Sequence, residues 1–178
     1  MFISNNMKID IRQIRAAGTD FRFTGSAEEM DIAVPGVKFP SPIEVELVAT
    51  FAGDEIICQG EVFSEVEAEC SRCLEPFDLV VEGALSFVVQ LVDTLVELNS
   101  YDEDFEIVPK TQTFLDISAR VRDAIVLNIA MKPLCGEDCR GLCPMCGTNL
   151  NEGTCDCMPD KADERWDALK SLFDNQIE

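Results

Sequence analysis

Eight of the nine cysteines in this 178-residue chain fall in four close pairs, and no histidine accompanies them. The pairs are Cys70/Cys73, Cys135/Cys139, Cys143/Cys146 and Cys155/Cys157, with Cys58 alone. Zinc takes four soft ligands in a tetrahedron, and two short-spaced pairs can converge on one ion. Eight thiolates in four pairs therefore match two structural zinc ions, each in an all-cysteine shell. Such a pattern describes a metal-stapled domain rather than an enzyme.

The compartment supports metal over disulfides. Residues Met1 to Arg15 mix apolar positions with Asn, Lys, Asp and Arg, unlike a secretory leader, and Met7 offers an alternative start. No apolar run reaches the roughly 18 residues of a membrane span; the best, Leu85 to Val92, contains Ser86 and Gln90. The expectation is a cytoplasmic protein with no membrane contact. In that reducing setting paired cysteines serve as metal ligands more often than as disulfides, and nine is an odd number to pair.

The net charge of −20 is concentrated in the middle of the chain. Residues 1–40 carry five acids and five bases, residues 41–106 carry seventeen acids against Arg72 alone, and residues 107–178 carry twelve against eight. An all-thiolate zinc site carries a formal charge of about −2, so metal loading keeps the sign. A large acidic surface repels phosphate backbones and attracts basic partners; the plainer reading of the same charge is solubility.

Between the acids the periodicity is that of strands. From Glu44 to Phe51 the apolar positions Val45, Leu47, Ala49 and Phe51 alternate with Glu44 and Glu46, and Ala52-Gly53-Asp54 reads as a turn. Val62, Ser64, Val66, Ala68 and Cys70 then alternate with Glu61, Phe63, Glu65, Glu67 and Glu69. Leu79, Val81, Leu85, Phe87, Val89 and Leu91 form a third such face, with Gly83 marking a possible bulge. Three strands in succession favour an antiparallel meander, in which residues 71–76 are a hairpin loop with Cys70 and Cys73 at one end of the sheet. Cys58, beside Ile56 and Ile57, reads as a small buried hydrophobe.

Asn99 to Glu106 is acidic and poorly periodic, a loop without calcium-loop spacing. Thr113 and Asp116 resemble a capping box ahead of the row Ile117, Val121, Ile125 and Ile129, predicting a helix from about Thr113 that covers the sheet and stops at Lys132-Pro133. A last helix is expected from about Asp160 to Asp174, with Trp166, Leu169, Leu172 and Phe173 as its apolar stripe docking on the body. The expected class is α+β: an antiparallel β-meander or small barrel-like sheet packed by a helix, with a Cys-rich zinc-binding C-terminal segment. Residues 1–134 would form the body, 135–158 the zinc-binding segment and 159–178 the docking helix.

Within the Cys-rich segment, Cys143-Pro-Met-Cys146-Gly is a zinc-knuckle sequence, where proline fixes the turn and glycine lets backbone amides face the sulfurs. Two partitions of the eight ligands make sense. In one, Cys143, Cys146, Cys155 and Cys157 form a local site and Cys135 and Cys139 join Cys70 and Cys73. In the other, the two C-x-x-C pairs share one ion and the flanking pairs another. The first is favoured because ligands close in sequence need less loop closure. Either way Cys70 and Cys73 would tie the sheet to the C-terminal segment. Ferredoxin cysteine spacings are lacking, and neither C-x-x-C pair has the strand-to-helix setting of a thioredoxin site.

Chemistry finds little to work with. Without histidine there is no Ser-His or Cys-His nucleophile, a closed thiolate shell leaves zinc no open position, and no glycine-rich phosphate loop is present. The Asp and Glu side chains mostly line solvent faces of strands. A non-catalytic protein is expected.

In combination, Glu69-Cys70-Ser-Arg72-Cys73-Leu74 after an alternating strand, Lys132-Pro133-Leu134-Cys135 after a helix, Cys139-Arg-Gly-Leu-Cys143-Pro-Met-Cys146-Gly-Thr-Asn149-Leu-Asn151 and Arg165-Trp166-x-x-Leu169 carry a resemblance. The chain resembles the YceD family of large ribosomal RNA subunit accumulation proteins, from about Met7 to Phe173. The resemblance implies a bacterial ribosome biogenesis factor, needed for accumulation of 23S ribosomal RNA. Its partners would be the large ribosomal subunit precursor and, given the charge, a basic ribosomal or assembly protein meeting the acidic strand face, with Arg140 on a zinc-built loop. Direct rRNA contact through Arg12, Arg15, Arg120, Arg122 and Arg140 is the competing mode. A zinc- or redox-responsive regulatory protein is the alternative class, and a nuclease with an open metal site a third.

Overall fold

A computed structural model of the protein describes residues 3–4, 7–93 and 105–157. The expected helix at 160–174 and residues 99–104 of the expected acidic loop lie outside the described residues, and the last two residues of that loop, Phe105 and Glu106, instead open a strand. The chain divides into two units, one made of Met1–Ser71 and Glu75–Cys135, the other of Arg72–Leu74 and Gly136–Glu178.

The first unit is built on β1 (Ile3–Ser4), β2 (Lys8–Asp10), β3 (Thr19–Gly25), β4 (Val37–Lys38), β5 (Ile43–Ala52), β6 (Glu55–Glu69), β7 (Pro76–Val92), β8 (Phe105–Pro109), β9 (Phe114–Asp116) and helix α1 (Ser118–Asn128). The main sheet runs β1-β3-β5-β6-β7-β8, with β4 beside the far end of β6, while β2 and β9 form a separate antiparallel pair. The meander β5-β6-β7 is its centre: β6 and β7 are paired without interruption from Glu55↔Gln90 to Glu69↔Pro76. β1 and β8 add in parallel at the two edges.

Strict alternation sends one face of the meander inward. Ile43, Val45, Leu47 and Ala49 of β5, Ile56, Cys58, Val62, Val66 and Ala68 of β6, and Val81, Leu85, Phe87 and Val89 of β7 are buried. Against them packs the row Ile117, Val121, Ile125 and Ile129, all buried, so the four-residue spacing located the helix face correctly. Burying a full Val or Ile side chain contributes about 1.5–3 kcal/mol, which makes this layer the main source of the unit's stability.

Two local expectations are corrected. The helix does not start at Thr113: Phe114–Asp116 is a strand paired with Lys8–Asp10, because pairing buries Leu115 beside Ile9. α1 begins at Ser118 after an N-cap, Ile117, that makes no side-chain capping bond, and the Ser118 N–H donates instead to Asp116 Oδ1 at 3.0 Å. Gly83 is not a bulge. It sits in register opposite Val62, and a Cβ there would lie 2.8 Å from the Ala124 carbonyl oxygen and 2.9 Å from Asn128 Nδ2. Its missing side chain is what lets α1 approach β7.

Candidate functional site: two cysteine clusters and an acidic sheet face

The β6–β7 turn carries the first two cysteines. Cys70 N–H donates to the Glu75 carbonyl at 2.9 Å, and Ser71 N–H to the Pro133 carbonyl at 2.9 Å, just before Cys135. After Cys73 the chain turns through Leu74, held at φ 61°, a conformation that usually selects glycine. The same step follows Cys146, where Gly147 has φ 75°. Both C-x-x-C turns thus share one backbone path, although only the second announces it with a glycine.

In the second unit, Arg72 Nη1 donates to the carbonyls of Glu137 at 3.1 Å and Cys139 at 3.0 Å, and the Arg72 carbonyl accepts from Leu142 N–H at 3.1 Å. Cys143 N–H donates to the Thr148 carbonyl at 2.8 Å and Gly147 N–H to the Cys143 carbonyl at 2.9 Å, closing the knuckle. Asn151 joins this framework from outside the cysteine pattern. Its Nδ2 donates to Cys139 Sγ at 3.4 Å, and its Oδ1 accepts from Arg140 N–H at 2.7 Å.

The eight sulfurs collect into two sets. Cys70, Cys73, Cys135 and Cys139 form one; Cys143, Cys146, Cys155 and Cys157 form the other, and within each set the Sγ atoms lie within 4.8 Å of one another. A tetrahedral zinc with Zn–S bonds of 2.3 Å separates its sulfurs by about 3.8 Å, so both sets have the donor type, number and spacing to hold a metal ion. The grouping is the local-plus-distant one, not the one in which the two C-x-x-C pairs share an ion. Burial separates the sets. Cys70, Cys73 and Cys139 are 0%, 3% and 8% exposed, whereas Cys146 and Cys157 are exposed and Cys155 half-buried.

Thiol acidity in the second set follows its hydrogen bonds. The Thr148 hydroxyl, 3.1 Å from Cys146 Sγ, and the Thr148 N–H bring Cys146 down to about 6, while hydrogen bonding to Cys146 pushes Cys157 up to about 12. Cys58 differs in kind: burial pushes its thiol up to about 12, against the opposing field of Arg120, and leaves it an inert core residue.

The outward face of the meander is acidic. Glu46 stands directly opposite Glu61, Phe63 lies between Glu44 and Glu82 in one cross-strand row, and Glu67 faces Asp78. A depression of about 370 Å³ is lined by Glu44, Glu46, Glu61, Phe63 and Glu82. Phe63, Val48 and Val80 are exposed among these acids. Arg22, 3.1 Å from Glu46, and Lys38, on Glu67, are each bound to one of its carboxylates. Facing like charges destabilise a sheet, so this arrangement weakens the fold slightly rather than supporting it.

These features define a class: an open-sheet protein with two four-cysteine clusters able to hold metal and an acidic outer face. Residues 58–173, more than half the chain, match the family described as large ribosomal RNA subunit accumulation protein YceD, and the chain belongs to that family. An uncharacterized protein of Mycobacterium tuberculosis is 26% identical over 153 residues, covering 83% of this chain and 72% of the relative. The large ribosomal RNA subunit accumulation protein YCED homolog 1, chloroplastic, of Zea mays is 28% identical over 185 residues, covering 89% of this chain and 61% of the relative. Its Arabidopsis thaliana counterpart is 38% identical over 58 residues, 33% of this chain and 18% of the relative. No solved structure matches the chain. Among the described residues, no helix is long and apolar enough to cross a membrane.

Proposed function

We propose that the protein is a non-catalytic, cytoplasmic ribosome biogenesis factor that supports accumulation of 23S ribosomal RNA by binding a basic ribosomal or assembly protein on the large-subunit precursor. Family membership supports the process. The observation that carries the mode of action is the acidic outer face, where Glu44, Glu46, Glu61 and Glu82 surround the exposed Phe63. Fixed negative charge around an apolar contact fits a Lys- or Arg-rich segment with one large side chain to seat, and speeds its encounter.

Direct rRNA binding has less support, because three of the five candidate arginines are engaged with the protein's own groups. Arg12 is 2.8 Å from Asp10, Arg122 is 4.0 Å from Asp123, and Arg120 lies 3.7 Å from Glu106 and 4.5 Å over the Phe87 ring. Phosphate binding needs several cations presented together. Both cysteine clusters are read as structural zinc sites, since four thiolates close the shell and leave no position for substrate or activated water.

Depletion in the native host tests the process: mature 23S rRNA should fall relative to the small-subunit rRNA, and an unchanged ratio overturns the reading. Replacing Glu44, Glu46, Glu61 and Glu82 with Gln tests the mode. The variant should leave precursor fractions in a sedimentation gradient, and unchanged co-sedimentation counts against the acidic face.

A further inference from the structure

The two cysteine clusters are built to hold an ion with different tenacity. In the set of Cys70, Cys73, Cys135 and Cys139, three sulfurs are buried and Cys135 is the one exposed. Cys70 directly follows the 15-residue strand β6 and is fixed by its N–H bond to the Glu75 carbonyl. Cys139 Sγ receives the Asn151 amide, an outer-shell donor of the kind that steadies a metal-bound thiolate.

The set of Cys143, Cys146, Cys155 and Cys157 is the reverse. Cys143 alone is buried, at 6% exposure. Residues 153–157 belong to no helix, strand or turn, so Cys155 and Cys157 sit on irregular chain and can leave an ion without breaking a ladder. Incoming ligands reach a metal through its exposed donors, and shielding by surrounding side chains slows that approach.

We propose that the cluster of Cys143, Cys146, Cys155 and Cys157 is an exchangeable zinc site, yielding its ion to external chelators and thiols while the other cluster retains its own. This rests on the zinc reading given above. The exchange is ligand substitution without redox change: four Zn–S bonds break, bonds to the acceptor form, and the released thiolates take up protons from solvent. The chain would then report zinc supply through residues 143–157 with its sheet intact.

The test uses the full-length chain loaded with zinc, its metal content by plasma mass spectrometry, and release to 4-(2-pyridylazo)resorcinol followed by absorbance. Two equivalents are expected, leaving in two phases of equal amplitude whose rates differ about ten-fold or more. Cys157→Ser should lose the fast equivalent and keep the slow one with an unchanged far-UV spectrum. In the unmodified protein, alkylation after the fast phase should label Cys143, Cys146, Cys155 and Cys157 and spare Cys70, Cys73, Cys135 and Cys139. Release in one phase, or labelling of the second group first, overturns the proposal. A zinc content near zero overturns the metal reading itself, and neither result bears on the depletion and sedimentation experiments.

Discussion

Glu61→Lys should make the protein more stable and less able to bind its partner. Glu61 and Glu46 are directly opposed on neighbouring strands, and Arg22 reaches Glu46 from the other side at 3.1 Å. Two carboxylates about 6 Å apart in water repel by about 0.7 kcal/mol. Salt at about 0.15 M cuts this to about 0.3 kcal/mol. Neutralising Glu61 with Gln therefore recovers about 0.3 kcal/mol, and reversing it to Lys about twice that, within the range measured for cross-strand charge pairs. For a chain of this size the Lys variant should melt about 1–2 °C higher. Over the same substitution, association with the precursor particle should weaken about ten-fold, because a repulsive charge now meets the basic partner. Thermal melting with gradient co-sedimentation reads both effects. Lower stability refutes the repulsion argument, and higher stability with unchanged association refutes the acidic face as the contact.

Other consequences follow from single side chains. Gly60→Ala would place a methyl 2.2 Å from the Glu46 carbonyl oxygen and 2.5 Å from Leu47 Cβ, where backbone cannot retreat, and should cost about 3 kcal/mol in urea unfolding. Gly53→Ala, with φ 70° but nothing within 4 Å, should cost only about 1–2 kcal/mol. Ile125→Ala, in the fully buried helix row, should cost about 2–5 kcal/mol by the same assay. Hydrogen bonding from the Arg12 side chain holds Asp10 down at about 2, against an ordinary 3.8. A carboxyl depressed by folding stabilises above its unfolded value and loses that contribution as pH falls through its folded one. Wild type and Asp10→Asn should thus converge in stability between pH about 4 and about 2, as an acid titration of melting temperature would show. Cys58 should resist iodoacetamide at neutral pH in the folded protein, since its thiol is pushed up to about 12 in the core.

The central strands are legible in the sequence because acids mark most of the alternate positions: Glu61, Glu65, Glu67 and Glu69, with Phe63 between them, point outward opposite a buried row. The same signal fades at the start of β6, where Ile56, Ile57 and Cys58 are all apolar and the strand runs six residues further back than the alternation marks. The pairing of β2 with β9 is invisible locally, since three-residue strands carry no period and Thr113 with Asp116 imitate a helix start. Packing of Leu115 decides that contest. The grouping of Cys143, Cys146, Cys155 and Cys157 is legible in their spacing, because short loops bring those four sulfurs together and leave the other two pairs to each other. The supporting residues are not legible: Asn151 reaches Cys139 and Thr148 reaches Cys146 with ordinary polar side chains, and Leu74 takes a glycine-like φ without being glycine. Gly83 shows how a correct residue acquires the wrong reason, since its role depends on a helix some forty residues later.

The most direct test of the functional account is affinity capture of the tagged protein at native level, with and without ribonuclease, scored for 23S precursor rRNA and ribosomal proteins. The account predicts precursor rRNA in the untreated sample and at least one basic ribosomal or assembly protein that stays bound after digestion. Loss of every ribosomal component on digestion, or absence of ribosomal material from both samples, would contradict it.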